Sequence, residues 1–199
     1  GDRRIYFQAN INYDRTWGEH GFGAMLLYNQ QDYQNNDVSS ATEGLPHRYM
    51  GLVSRLTYNY KMKYFLEVNG AYNGSENFAK GHRFGLFPSV AAGWLISEES
   101  FFKNNINPNF WEYLKLRASY GLKGNDKMNG RRFAYLTTIG SGYGEYVLGK
   151  DVNVHWGSIG EDQWGADLTW EKEREINIGI ETRFLNGFYL QADYFKRHR

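Results

Sequence analysis

Ile5-Tyr6-Phe7-Gln8-Ala9-Asn10-Ile11-Asn12-Tyr13-Asp14 alternates without a break. Ile5, Phe7, Ala9, Ile11 and Tyr13 fall on one side; Tyr6, Gln8, Asn10, Asn12 and Asp14 fall on the other. Successive side chains of a pleated strand point to opposite faces, so this period of two predicts a strand with one apolar and one hydrophilic face. The period recurs along the chain. Its apolar positions are Phe22, Ala24, Leu26 and Tyr28; Leu52, Leu56, Tyr58 and Tyr60; Tyr64, Leu66, Val68 and Tyr72; and Leu86, Val90, Ala92, Trp94 and Ile96. They continue with Leu114, Leu116, Ala118 and Tyr120; Ile176, Ile178, Ile180 and Phe184; and Phe188, Leu190, Ala192 and Tyr194. The expectation is an all-β, antiparallel meander of about eight strands.

The connections carry a second regularity. Residues 15–20, 61–63 and 185–187 are short and 97–111 is of medium length, with a helical turn expected at Glu98–Phe102. Residues 31–47, 73–83 and 123–168 are long. In a meander alternate connections lie at opposite ends, so the large loops gather at one end and the tight turns at the other. Short turns on one side and long loops on the other, joined by strands of about ten residues, are the pattern of an outer-membrane barrel. Within 123–168 a small strand is expected at Phe133–Ile139, and Leu185-Asn186-Gly187 reads as a hairpin in which Asn-Gly accepts positive φ.

Composition narrows the class. Lys+Arg is 23 and Asp+Glu 22, a net charge of +1, which argues against nucleic acid as a partner. Cysteine is absent, which removes disulfides, thiolate metal sites and cysteine nucleophiles. Aromatics make up 18% of the residues and mean hydropathy is −0.67. No run approaches the ~18 apolar residues of a membrane helix, but a membrane barrel averages out as hydrophilic.

Alternation by itself also fits a soluble β-sandwich or a soluble all-β carbohydrate-binding module. Two details favour a membrane barrel. Tyr and Trp recur near the ends of the apolar faces, where an interfacial girdle lies. The opposite faces carry charges in mid-strand: Arg55, Glu67, Lys115, Arg117, Glu181, Arg183 and Asp193. A dry core rejects such groups and a water-filled lumen accepts them, so these seven are the expected lumen-facing residues. A free-standing barrel of eight strands is a further alternative.

Three ordered blocks carry a family resemblance. Phe87-Pro88-Ser89-Val90-Ala91-Ala92-Gly93-Trp94 is followed by Ile96-Ser97-Glu98-Glu99 and Phe101-Phe102. Leu114-Lys115-Leu116-Arg117-Ala118-Ser119-Tyr120-Gly121 precedes Gly124-Asn125, and Thr169-Trp170-Glu171-Lys172 precedes Asn177-Ile178-Gly179-Ile180-Glu181. Together they resemble the signature of SusC/RagA-type TonB-dependent transporters of the Bacteroidetes outer membrane. The family's acidic Asp-Gly-Ser-Ser-like loop is replaced here by Asn73-Gly74-Ser75-Glu76-Asn77.

The resemblance implies a transmembrane barrel of the roughly 22-stranded, plugged type, of which these strands form a little over a third. It implies a fragment from the C-terminal half of the barrel, without the N-terminal plug or the final strands. It further implies import of oligosaccharides or peptides, a SusD-like surface lipoprotein as partner, energy delivered by TonB through the plug, and contact with outer-membrane lipid. A siderophore receptor of the same architecture is the nearest alternative. Tyr143, Tyr146, Trp156 and Trp164, set among Gly and acidic residues in the longest loop, are the candidate substrate or partner contacts, since ring faces stack on sugars. The competing reading is that they pack the loop.

Nothing in the sequence points to catalysis. His20, His47, His82, His155 and His198 are scattered without zinc spacing. Gly140-Ser141-Gly142-Tyr143-Gly144 lacks the Lys-Ser/Thr of a phosphate loop and reads as a flexible segment. Glu171, Glu173 and Glu175 share a face, but with Lys172 and Arg174 between them they read as a solvated stretch at a strand's outer end rather than as glycosidase carboxylates. No cofactor is expected, and calcium in the loops has no ligand spacing behind it.

Overall fold

The computed structural model describes residues 1–37, 44–107, 110–127, 132–147, 155–185 and 187–199; of 141–147, 155–159 and 161–163 it describes the backbone. The described residues form ten strands: β1 Asp2–Trp17, β2 His20–Asn35, β3 His47–Tyr60, β4 Tyr64–Ser75, β5 Phe84–Leu95, β6 Trp111–Asn125, β7 Thr138–Val147, β8 His155–Gln163, β9 Glu171–Phe184 and β10 Phe188–His198. Eight of them form one antiparallel sheet in the order β1-β2-β3-β4-β5-β6-β9-β10, and β7-β8 is a separate hairpin. The sheet is a meander interrupted only where the hairpin is inserted between β6 and β9.

Register fixes the faces. Ala9 pairs with Tyr28, Tyr28 with Leu52, Leu52 with Tyr72 and Tyr72 with Leu86. Val90 pairs with Tyr120, Tyr120 with Ile176 and Ile176 with Lys196. Residues directly opposite in a ladder share a face, so the apolar positions of all eight strands lie on one side. That side is open: Ile11 is 71% exposed, Leu86 60% and Tyr194 65%. The strands at the two ends, β1 and β10, do not pair with one another among the described residues, so the sheet is an open section of wall and not a closed eight-stranded barrel.

The tight connections take left-handed backbone where the hairpin twist demands it. Gly18 has φ +59 between β1 and β2; Lys61 and Met62 have φ 55 and 54 between β3 and β4. In the last turn Leu185 carries φ 51, whereas Asn186 lies outside the described residues. The medium connector holds a 3₁₀ turn at Ile96–Glu98 and α1, Ser100–Asn105.

Three expectations are corrected. The strands overrun the loops: β2 continues to Asn35, β4 to Ser75 and β6 to Asn125, because backbone pairing persists after the apolar face has ended. Loop 123–168 contains the β7–β8 hairpin, including the segment 140–144 that reads as flexible. The small strand at Phe133–Ile139 begins only at Thr138; Phe133 has φ 50 and Leu136 donates its N–H back to the Phe133 carbonyl at 2.8 Å.

A small core forms at the long-loop end, on the hydrophilic side of the sheet. Phe78, Phe87 and Trp170 are 1%, 6% and 5% exposed, with Tyr49 and Ala71 packed against them. Gly124 permits it: a Cβ there would lie 2.0 Å from Cζ of Phe87.

Candidate functional site

All seven charged residues expected in mid-strand stand on one face. Arg55 pairs with Asn69, which shares β4's odd positions with Glu67. Lys115 pairs with Glu181, and Glu181 with Gln191. Arg117 pairs with Gly179, and Gly179 with Asp193; Arg183 pairs with Tyr113 and Tyr189.

These residues assemble into networks. Arg55 Nε donates to Asn69 Oδ1 at 3.1 Å and lies 3.7 Å from Glu67 Oε1. Asn69 Nδ2 donates to Glu67 Oε1 at 2.8 Å and reaches Ser89 Oγ at 3.4 Å. Arg117 bridges two strands, with Nε 3.0 Å from Glu181 Oε1 and Nη2 2.7 Å from Asp193 Oδ2. Arg183 is more loosely held, 3.9 Å from Glu112. Lys115 lies with its Nζ 5.6 Å from the centre of the Phe65 ring. A surface that pairs guanidinium, carboxylate and amide groups while leaving them partly exposed is suited to polar ligands and water, and offers no dry interior.

Toward the long-loop end the same face carries a ladder of opposite charges. Glu173 and Glu175 are held by Arg197 at 3.8 and 2.9 Å, Glu173 also by Arg199 at 2.7 Å, and Glu175 also by Lys123. Glu171 accepts from Asn125 Nδ2 at 2.9 Å. Glu173 and Glu175 are thus partners of cations on β6, on β10 and just past the end of β10. Lys172 and Arg174, interleaved in sequence, stand on the other face.

Above this ladder the loop roots are tied together. Arg132 donates to the carbonyls of Leu45 at 3.2 Å and Pro46 at 3.1 Å, and its Nη2 lies 3.7 Å from Glu76 Oε1. The Arg48 N–H donates to the same Glu76 oxygen at 2.8 Å, and Asn77 Nδ2 to the Asp126 carbonyl at 3.2 Å. Trp170 Nε1 donates to the Arg83 carbonyl at 3.1 Å. One guanidinium and one carboxylate therefore connect all three long connections. Burial pushes the Glu76 carboxyl above its ordinary value, against the opposing pull of the Arg48 N–H and of the Arg48, Arg132 and Arg83 charges. Burial likewise pushes Arg132 down, with Glu76 opposing.

The loop candidates divide. Tyr143 lies on β7, and Tyr146 stands opposite Trp156 in the β7–β8 register. Trp164 follows the hairpin and is 77% exposed. The sequence reading missed Glu76, Arg132 and the Phe78–Phe87–Trp170 core. One signal was present: Phe87 is an aromatic at a hydrophilic position of β5, two residues after Gly85. Arg132 had none, because its carbonyl acceptors and the Glu76 carboxylate are all distant in sequence.

Comparison with known proteins agrees with this architecture. No family model matches the chain. TonB-dependent receptor P39 of Formosa agariphila is 30% identical over 186 residues, 87% of this chain and 17% of that protein. TonB-dependent receptor SusC of Bacteroides thetaiotaomicron is 34% identical over 135 residues, 67% of this chain and 13% of that protein. The chain therefore spans less than a fifth of the length of either relative. A solved structure of the RagAB peptide transporter superposes on 98% of this chain and 23% of its own, with a TM-score of 0.77 at 19% identity. An open antiparallel wall, one face apolar and the other ion-paired, with SusC-like sequence along it, makes this chain a piece of the β-barrel of the SusC/RagA-type TonB-dependent receptors, the family to which it belongs.

Proposed function

We propose that the chain is wall, lipid-facing belt and loop base of an outer-membrane importer. Its whole protein takes up oligosaccharides, or peptides, in a TonB-dependent manner through a plugged barrel, with a SusD-like lipoprotein at the loop end. The observation that carries this reading is the division of the sheet into an exposed apolar face and an ion-paired polar face. On β4 the apolar face runs from Tyr64 to Tyr72. Eight residue steps cover about 26 Å along a strand. Tilted by the ~35–45° of barrel strands, that length rises about 19–22 Å, most of the roughly 25 Å apolar band between aromatic girdles.

On this reading Arg55, Glu67, Lys115, Arg117, Glu181, Arg183 and Asp193 border a hydrated lumen, and Tyr143, Tyr146, Trp156 and Trp164 meet substrate or lipoprotein at its mouth. The RagAB structure concerns a peptide transporter; the likeness supports a shared wall and leaves the cargo to experiment. The test is uptake by cells expressing the intact receptor, offered labelled oligosaccharides, oligopeptides or ferric siderophores, with and without the proton gradient. Gradient-dependent uptake of a glycan or peptide is expected. Uptake of ferric siderophores alone would replace the substrate class, and an intact protein that stays monodisperse in buffer without detergent would overturn the membrane reading.

A further inference from the structure

Two connections fold back over the hydrophilic face of the sheet. Phe78 of the 76–83 connection and Trp170, which precedes β9, pack on Phe87 of β5, with Tyr49 and Ala71 alongside. Tyr49, Ala71 and Phe87 stand at hydrophilic-face positions of β3, β4 and β5. The 76–83 connection therefore lies against the inner side of the wall instead of rising from its rim.

It is tied there to three neighbours. Glu76 accepts from the Arg48 N–H of β3 at 2.8 Å. Asn77 Nδ2 donates to the Asp126 carbonyl, just past the end of β6, at 3.2 Å. His82 Nδ1 lies 2.8 Å from Asp167 Oδ1, in the segment before β9. The connection also closes on itself: the Ser75 N–H donates to the Arg83 carbonyl at 3.0 Å, and Arg83 Nε to the Phe78 carbonyl at 3.2 Å. At its turn Gly81 takes φ +107. Lys80, beside it, is exposed and makes no ion pair or side-chain hydrogen bond among the described residues.

Loops that open for a ligand are drawn from segments with few buried contacts. This one holds the most deeply buried aromatic of the described residues. A connection folded to the inner side of a barrel wall also takes up cross-section of the lumen.

We propose that residues 76–83 are a fixed sill at the lumen mouth, which narrows the entrance and sets Lys80 in the path of the cargo. The proposal rests on the importer reading above. Opening and closing then belong to other connections.

The test uses cells expressing the intact receptor. K80C and, as a control, D37C in the exposed segment after β2 are treated with N-ethylmaleimide or with a long polyethylene-glycol maleimide, and labelling is read at each site by mass spectrometry. Both thiols are expected to react with the small reagent, and K80C to lose most of its reaction with the polymer. N77C/D126C, bridged by a short bis-methanethiosulfonate, is expected to take up labelled oligosaccharides or oligopeptides as well as the unbridged variant does. A bulky adduct on K80C is expected to lower that uptake. Equal polymer labelling of K80C and D37C overturns the inward position, and unchanged uptake with the bulky adduct overturns the narrowing. Uptake lost on bridging and regained in dithiothreitol overturns the fixed sill, since the connection would then be a moving lid. A wild-type receptor that takes up none of the probes fails the importer reading instead, and the polymer labelling still decides where the connection lies.

Discussion

The rings of Trp170 and Phe87 meet edge to face, centroids 5.1 Å apart and planes at 63°. Phe78 also packs against the indole, centroids 5.3 Å apart. This is the most deeply buried packing in a sheet whose side chains are mostly exposed, and it joins the segment before β9 to β5 and to the 76–83 connection. Trp170→Ala is expected to cost about 3–5 kcal/mol, the usual range for deleting a buried aromatic. Trp170→Phe keeps a ring but loses the bond to the Arg83 carbonyl, at about 1 kcal/mol. Gly124→Ala drives a methyl into Phe87 and is expected to cost about 1–3 kcal/mol, recovered in part by Phe87→Leu. Urea unfolding of the intact receptor measures all four. An unchanged midpoint for Trp170→Ala would show that the cluster contributes nothing to stability.

Arg117 stands between Glu181 and Asp193, touching both. Removing it leaves two carboxylates as diagonal neighbours on the adjacent strands β9 and β10. All three side chains are about one-fifth to one-third exposed, so solvent screens part of the effect, and Arg117→Met is expected to cost about 1–2 kcal/mol. The triple variant R117M/E181Q/D193N is expected to be more stable than R117M alone, because the repulsion has gone. A triple variant no better than the single one would mean that the network is incidental.

These two sites mark what the sequence could and could not convey. The period of two at Ile5–Asp14 identified β1 and both of its faces, and the same rule put Arg117, Glu181 and Asp193 on one face before any register was known. Hydropathy alternation ends where the apolar band ends, however, while backbone pairing goes on. Gln31–Asn35 is polar on both faces and reads as loop, yet it is paired residue by residue with β1. The β7–β8 hairpin was hidden for a related reason: Gly140, Gly142 and Gly144 have no side chain to alternate. Phe87 and Trp170 were legible as parts of a family signature, but their contact depends on pairings between segments 83 residues apart, which no local pattern encodes. Arg132 hydrogen-bonds main-chain carbonyls, which every residue possesses, so those acceptors left no trace in residue type, and its ion-pair partner Glu76 lies 56 residues away.

Arg132 and Glu76 set the state of the loop roots. Replacing Arg132 by Ala removes the donors to Leu45 and Pro46, and amide exchange is expected to rise in 44–50 and in 132–140 while β4 and β5 stay protected. No change in 44–50 would mean that these carbonyls are held by other groups. The pH dependence has a definite sign. The Glu76 carboxyl titrates above its unfolded value of 4.5, so protonation favours the folded state. The contribution is complete below the unfolded value and is lost as pH rises through the folded one. The melting temperature of wild type relative to Glu76→Gln is therefore expected to increase on acidification through this window. A difference independent of pH would contradict a desolvated carboxylate at this position.

The opposite sign is expected at the short-turn end. Glu99 accepts from the Tyr64 hydroxyl at 2.5 Å and from Trp94 Nε1 at 3.1 Å, and Lys63 lies 3.6 Å away. Tyr64 and Trp94 stack with centroids 6.3 Å apart, in a row that Tyr60 and His20 extend across the sheet. One carboxylate thus anchors the 96–106 connector to two rings of the aromatic girdle. Those hydrogen bonds hold the Glu99 carboxyl below its unfolded value of 4.5. Its contribution is present above 4.5 and is lost as pH falls through the lower folded value. Glu99→Gln, Tyr64→Phe and Trp94→Phe each remove part of the clasp. Each is expected to raise amide exchange in 100–106 at neutral pH, with Glu99→Gln the largest because it alone touches every partner. Acidification below 4.5 is expected to raise exchange in the wild type, after correction for intrinsic rates, and to leave Glu99→Gln unchanged. A variant that responds to acid as the wild type does would assign the titration to another group and leave Glu99 a surface residue.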